Sequence, residues 1–347
     1  MSALLEAVGV TKAFGGGVFQ PAATVAVDNL SLKIETDPPA ITAVVGESGS
    51  GKTTLARLLL GETAPTSGTV SYLGKDLTKL SRAERNAFRR DVQVIFQDPY
   101  EVYNPFYPVD HVLTMPARKF HLAQTKAETD EAIHQALQAV GLRPDETLGR
   151  YPHQLSGGQR QRLMVARALM IRPRIIIADE PVSMVDASLR ATILDNLKSL
   201  ARAYGVSILY ITHDLVTAYQ ISDNILVLYR GSIVEAGHAP PVVQQPQHPY
   251  TQLLMQSIPL PDPDRSWPRA QEASEIGQRA STTAGCKFAP RCPMAMNVCL
   301  ERHPPLFQTG VDRATACYLY QDAPELAGPS IDAVFRTAEP SSEGDTV

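Results

Sequence analysis

Cysteine is absent from the first 285 residues of this 347-residue chain. No apolar run approaches the length that crosses a bilayer as a helix, about 18 residues, so a subunit that spans the membrane by helices is excluded. The stretch from Met1 to Glu6 carries no basic region, and no signal peptide is expected there. Positive charge is also in short supply: 32 Lys and Arg stand against 36 Asp and Glu, a net charge of −4, with no basic stripe. That balance argues against a nucleic-acid partner. The cluster Arg82, Arg85, Arg89 and Arg90 reads as a solvated helix face. No internal repeat is visible. A chain of this length with 44% hydrophobic residues can bury one large core and carry an appendage.

What is present is glycine in two informative places. The first is Gly46-Glu47-Ser48-Gly49-Ser50-Gly51-Lys52-Thr53, followed by Thr54. Ile41 to Val45, short, apolar and β-branched, predicts a buried strand before it. Thr54 to Leu60 predicts a helix after it, stopped at Gly61. Between the two, glycines let backbone N–H groups turn onto phosphate oxygens at a helix N-terminus, where the dipole also favours anions. Lys52 is expected to reach the β- and γ-phosphates of a nucleoside triphosphate, and the Thr53 hydroxyl to ligate Mg²⁺.

Two further strands end in chemistry. Arg174 to Ala178 delivers Asp179 and Glu180. A lone acidic pair at a strand end is more often merely solvated, and the phosphate loop is what favours function here. Asp179 is then the Mg²⁺ ligand and Glu180 the general base for the attacking water. Val206 to Thr212 delivers His213 and Asp214 to the same sheet edge, where open α/β sheets bind ligands, and His213 becomes a candidate γ-phosphate contact. The second glycine element is Leu155-Ser156-Gly157-Gly158-Gln159. Ser156 is a natural N-cap, and Leu163, Ala166 and Met170 share one face of the helix that follows. Gly157 and Gly158 leave the first N–H groups bare. Because the loop at Lys52 occupies the near side of the nucleotide, this helix end is expected to meet the nucleotide of a second subunit arranged head to tail.

With Gln97 in Val94-Ile95-Phe96-Gln97-Asp98 added, the set resembles the nucleotide-binding subunit of ABC transporters over residues 1 to about 258. The resemblance implies an α/β fold: a P-loop NTPase (RecA-like) core of mainly parallel sheet, an antiparallel β-subdomain, an inserted helical subdomain and a small C-terminal extension. It implies an ATPase using ATP and Mg²⁺, with Gln97 sensing Mg²⁺ and the attacking water. Asp186, in Ser183-Met184-Val185-Asp186, would communicate across the dimer; most relatives carry Leu where Val185 stands. An aromatic residue should stack on adenine, with Phe14 the best match and Phe19 close by.

His248-Pro249-Tyr250-Thr251-Gln252 and Ser257-Ile258-Pro259 resemble the appended region of oligopeptide and dipeptide importer ATPases. Phe96 to Tyr100 and Asp179 to Ser183 look like the F-type subunit of that pair. This implies two transmembrane permease subunits, a paralogous ATP-binding subunit as heterodimer partner, and an extracytoplasmic solute-binding protein. It also implies a peripheral position on the cytoplasmic face of the inner membrane, with di- or oligopeptides as cargo. Importers of this type also move saccharides and metal chelates. The reading from another class, a soluble ABC ATPase acting on DNA or ribosomes, lacks the long coiled-coil insertion or second cassette it would need.

The motifs divide the chain into a nucleotide-binding domain at 1–258, with a helical subdomain at about 98–160, an extension at 259–320, and a disordered tail at 321–347, acidic and rich in Ala, Pro and Ser. Residues 3–36 are expected as antiparallel strands, Pro38 and Pro39 as a turn, and a helix from Thr125 to Gly141 with Glu128 closing a capping box. The Pro-rich stretch Tyr100–Pro116 is expected to face the permeases. Cys286, Cys292, Cys299 and Cys317 all lie in the extension, which is short of apolar residues. Their spacing matches neither paired zinc hooks nor ferredoxin runs. It matches the family's C-terminal motif, Arg291-Cys292-Pro293 included, which implies a [4Fe–4S] cluster; zinc and free structural thiols stay open as alternatives. The cluster is expected to be structural or redox-sensing, with no route to the γ-phosphate.

Overall fold

The structure, a computed structural model, describes residues 3–15, 23–98, 103–183, 185, 187–258, 284–326 and 331–335. Its centre is an eight-stranded sheet. Five parallel strands come first in it: β3 (Ile41–Val45), β6 (Val92–Ile95), β7 (Ile175–Asp179), β8 (Ser207–Thr212) and β9 (Asn224–Tyr229). β10 (Ser232–His238), β11 (Phe307–Gly310) and β12 (Arg313–Thr315) complete it antiparallel, in the order β11-β12-β10-β9-β3-β8-β7-β6. Strands β7, β8 and β9 are buried along their whole length and β3 at all but Thr42, which is why they read as apolar runs. Alternate residues still go to opposite faces. Ile176, Ala178, Ile208 and Tyr210 enter one core, and Ile175, Ile177, Leu209 and Ile211 the other.

The second core is roofed by a four-stranded antiparallel sheet built from β1 (Leu5–Phe14), β2 (Thr24–Ile34), β4 (Ser67–Tyr72) and β5 (Lys75–Asp76). Between the two sheets runs α1 (Lys52–Leu59), whose Leu55, Leu58 and Leu59 are fully buried. Gly61 follows it in the left-handed conformation, φ 67°, as a helix stop requires. α2 (Arg82–Asp91) starts in a Ser81/Glu84 capping box and buries only Phe88, so its arginines do lie on a solvated face.

The first core carries the helical insertion: α3 (Asp110–Lys119), α4 (Lys126–Ala139), α5 (Pro144–Thr147) and α6 (Gly157–Met170). Thr125 and Glu128 form the expected capping box, and Ser156 caps α6 through Gln159 N–H in another. After β7 comes α7 (Ala187–Tyr204), and α8 (Leu215–Ile221) follows β8. Then α9 (Ala239–Gln244) and α10 (Pro249–Gln256) lead out of β10. Among the described residues, no helix is long and apolar enough to cross a membrane.

The cysteine-bearing segment is integrated more deeply than its composition suggested. Besides α11 (Asn297–Glu301) it supplies β11 and β12 to the main sheet, and Phe288, 1% exposed, sits in the first core. A buried ion pair, Arg313 Nη2 to Glu235 Oε1 at 2.8 Å, ties β12 to β10. Within the stretch expected as a disordered tail, residues 331–335 pack on the fold as well. Ile331 and Val334 are buried, and the Lys33 N–H donates to Asp332 Oδ1. Apolar side chains at these two positions give the segment a core to join.

Candidate functional site

The phosphate loop leaves the carboxyl end of β3, between β8 and β9. Two of its glycines are compelled by space. A Cβ on Gly46 would stand 2.3 Å from the Leu228 carbonyl oxygen, and one on Gly51, at φ +106°, 2.1 Å from that of Ala26. Lys52 folds back into the loop, donating to the carbonyls of Gly46 at 2.7 Å and Glu47 at 2.9 Å. Burial holds its pKa below the ordinary lysine value, against the pull of Glu180, Asp179 and Glu47. Its ammonium is therefore short of negative charge, which a phosphate would provide.

Asp179, at the end of β7, shows the converse. Burial raises its pKa, opposed by a hydrogen bond from Thr53 and the charge of Lys52. Its Oδ1 is buried with no hydrogen-bond partner. Phe14, Thr53, Arg57, Gln97 and Asp179 line one cavity of about 420 Å³. An unsatisfied carboxylate oxygen, a hydroxyl and an amide around one space form an all-oxygen donor set of the kind that suits Mg²⁺. Phe14, half exposed at the end of β1, stands on the wall of that cavity. Phe19 lies outside the described residues.

Glu180 joins the neighbouring strand ends. Its Oε2 accepts from Gln97 Nε2 at 3.1 Å, and its Oε1 lies 2.9 Å from His213 Nδ1. Its backbone sits at φ 45°, the left-handed region that non-glycine residues rarely adopt. The Glu180 N–H is held by the Ile211 carbonyl at 2.8 Å. The turn thus fixes the carboxylate immediately beyond the sheet edge, with a neutral donor on one oxygen and an imidazole on the other. β6, β7 and β8 are neighbours in that order, so Gln97, Glu180 and His213 meet because their strands do.

The helix end at Leu155 to Gln159 does not line the cavity with Thr53 and Asp179. Ser156 is exposed at its start, with Gly157 and Gly158 part-exposed behind it. Asp186 lies outside the described residues, as does the Tyr100–Val102 part of the stretch expected to face the permeases.

The four cysteines line one cavity of about 10 Å³, room for roughly one water. Burial pushes Cys317 up to about 11 and raises Cys286. Among the described residues, however, no group of three or more His, Cys, Asp or Glu is placed to hold a metal ion. The expected cluster, and zinc, therefore find no ready ligand set.

Three residues named in the sequence motifs take roles that the sequence did not assign. Tyr250, fully buried, accepts the Glu47 N–H at 2.8 Å through its hydroxyl. Arg291 forms a two-pronged pair with the Glu47 carboxylate. His248 caps α10 by accepting the Tyr250 N–H. Their place in a family motif was the signal available, since Tyr250 and Arg291 lie more than two hundred residues from their partner Glu47.

Comparison with known proteins agrees with this geometry. Residues 27–183 match the ABC transporter family and residues 234–299 the oligopeptide/dipeptide transporter C-terminal region. A putative oligopeptide transport ATP-binding protein of Bacillus subtilis is 41% identical over 86% of this chain and 90% of its own. The oligopeptide transport ATP-binding protein OppF of Escherichia coli is 40% identical over 83% of this chain and 86% of its own. Among solved structures, a dimeric ATP-binding cassette in a post-hydrolysis state bound to ADP and Pi superposes with TM-score 0.60. It is 27% identical and covers 68% of this chain and 98% of that one.

Proposed function

The chain belongs to the ABC transporter family of ATP-binding subunits, in its oligopeptide and dipeptide branch, and from that membership we propose that it hydrolyses ATP to drive peptide uptake through partner permeases. One observation carries the chemical part: Gln97 and His213 meet on the Glu180 carboxylate beside the phosphate loop. In this reading Glu180 takes a proton from water while the water oxygen bonds to the γ-phosphorus. The bond from that phosphorus to the β–γ bridging oxygen breaks, leaving ADP and phosphate. Gln97 and His213 orient the base. The ammonium of Lys52 exchanges the carbonyls of Gly46 and Glu47 for the β- and γ-phosphates. Thr53, Asp179 and Gln97 would hold Mg²⁺, which when bound offsets charge on the β- and γ-oxygens. Phe14 stacks on adenine.

Ser156, Gly157 and Gly158 are assigned to the nucleotide of a second, paralogous subunit, and Asp186 to signalling across that interface. The exposed, capped start of α6 and the dimeric assembly of the solved relative support this assignment. Two permeases hold the pair peripherally on the cytoplasmic face of the inner membrane, and an extracytoplasmic binding protein delivers the peptide. The names of the relatives favour peptides over saccharides or metal chelates.

For Cys286, Cys292, Cys299 and Cys317 we infer a [4Fe–4S] cluster, with zinc as the alternative. The convergence of all four side chains on one place supports it, although that cavity has room for only about one water and the thiols as placed are not gathered for a single ion. No step of hydrolysis runs through it. The test of function is uptake by vesicles holding the whole importer. Peptide should accumulate with MgATP on the side of this subunit, and not with Lys52→Ala. Uptake of a saccharide with no response to peptide would overturn the cargo.

A further inference from the structure

Glu47 is an odd residue to find in a loop that cradles a polyanion. Its carboxylate follows Gly46 directly, and its carbonyl is one of the two that hold Lys52. An unpaired negative charge there would oppose the triphosphate at short range. Instead, both oxygens are taken by one guanidinium: Arg291 Nη1 lies 2.9 Å from Oε2 and Nη2 2.9 Å from Oε1. Such a planar fork is the strongest form of this pairing. Arg291 itself is braced, with its guanidinium 5.8 Å from the Tyr229 ring centre and 5.6 Å from that of Phe288.

The whole turn that carries Arg291 is fastened against the loop. Lys287 Nζ reaches Asp28 Oδ2 and the Arg230 carbonyl, each at 2.8 Å. The neighbouring Gly231 N–H donates to the Ser50 carbonyl at 2.8 Å. Tyr250 takes the Glu47 N–H from the same side. Phe288 packs against Tyr229 and Tyr250, with ring centres 5.3 and 5.5 Å apart. The Glu47 pKa is lowered, first of all by the hydrogen bond from Arg291. The carboxylate is thus charged, and its charge is matched from outside the loop.

We propose that Arg291, presented by the cysteine-bearing turn, is a positioning residue of the nucleotide site that neutralises Glu47 and turns its carboxylate away from the bound phosphates. The C-terminal segment is then a working wall of that site, and the route from the thiols to the phosphate loop is short. Cys292 is the next residue in the chain after Arg291. The proposal rests on the reading of residues 46–53 as the phosphate cradle.

The test is MgATP binding by the full-length chain, with thermal unfolding as the check on folding. Arg291→Met should weaken binding about tenfold, since one unmatched charge then faces the nucleotide. Adding Glu47→Gln to it should bring binding back to within about threefold of wild type, because the repelling charge is gone. Affinity unchanged in Arg291→Met, or a double variant as weak as the single, would overturn the proposal and leave the pair a mere tether. Should Arg291→Met fail to fold, Arg291→Gln alone and with Glu47→Gln poses the same contrast. Lys52→Ala is the control: binding as tight as wild type there would instead overturn the reading of the loop.

Discussion

At the residue scale, Glu180 is held from both sides while its own backbone is strained, and such strain persists only where the surroundings impose it. Its partner His213 is 59% exposed in its side chain and contributes little packing, so its removal should cost chemistry rather than folding. His213→Ala is expected to keep MgATP affinity and the unfolding temperature while lowering turnover by about 100-fold, within the span of lost acid–base or orienting groups. Steady-state phosphate release against a binding isotherm separates the two; equal loss in both would remove His213 from the chemistry. Glu180, His213 and Asp179 were legible because each follows directly on a β-branched run. Their mutual contact was not, since it depends on strand order, and a single sequence carries strand order only through resemblance. The contact of Arg291 with Glu47 was illegible for the same reason, over a far longer separation.

At the scale of elements, helix starts were the most legible features. Thr125 and Ser156, both named from the sequence, stand three residues before a Glu or Gln and each forms a capping box; Ser81 does the same. β11 and β12 left no signal, being four and three residues long without alternation. They exist because β10 offers an edge and because Arg313 finds Glu235 there. Removing one partner of such a buried pair costs about 3–5 kcal/mol, so this short strand matters more than its length implies.

Two elements carry predictions. In α6, Gly157→Asp places a carboxylate at a helix end with bare N–H groups. The isolated chain should bind MgATP as before, while the assembled pair loses most turnover at the partner's site. Weakened binding by the isolated chain would mean that the helix end serves its own nucleotide. In α10, burial pushes the His248 cap down to about 3. Glu235, which accepts the His248 N–H, and its partner Arg313 are the charged groups beside it. Because the ordinary value is 6.5, the unfolded chain takes up the proton first, and stability falls as pH drops from 6.5 towards about 3. His248→Asn, which keeps a capping oxygen, should show a smaller fall in unfolding temperature between pH 7 and about pH 4. Parallel curves for the two proteins would contradict a neutral, buried His248.

At the scale of the whole molecule, one sheet serves two cores, and the C-terminal segment closes both the sheet edge and the outer wall of the phosphate loop. The sequence suggested an appendage held together by metal, because the segment is poor in apolar residues. In the fold it borrows apolar neighbours instead, with Phe288 against Tyr229 and Tyr250. Metal analysis of anaerobically purified protein is expected to find iron and sulfide, lost in Cys292→Ser while MgATP still binds. Zinc without iron, or no metal, would replace the cluster with the corresponding alternative.

The central claim is that this chain turns over ATP with a carboxylate set at the joined strand ends. Phosphate release by the assembled importer, wild type against Glu180→Gln, tests it most directly. The substitution keeps the size of the side chain and one accepting oxygen, turns the other oxygen into an NH2 donor, and removes the charge and basicity. The expected result is undiminished MgATP binding, turnover reduced by about 100-fold or more, and a subunit pair that stays closed on ATP. Near-normal turnover in Glu180→Gln would contradict the account.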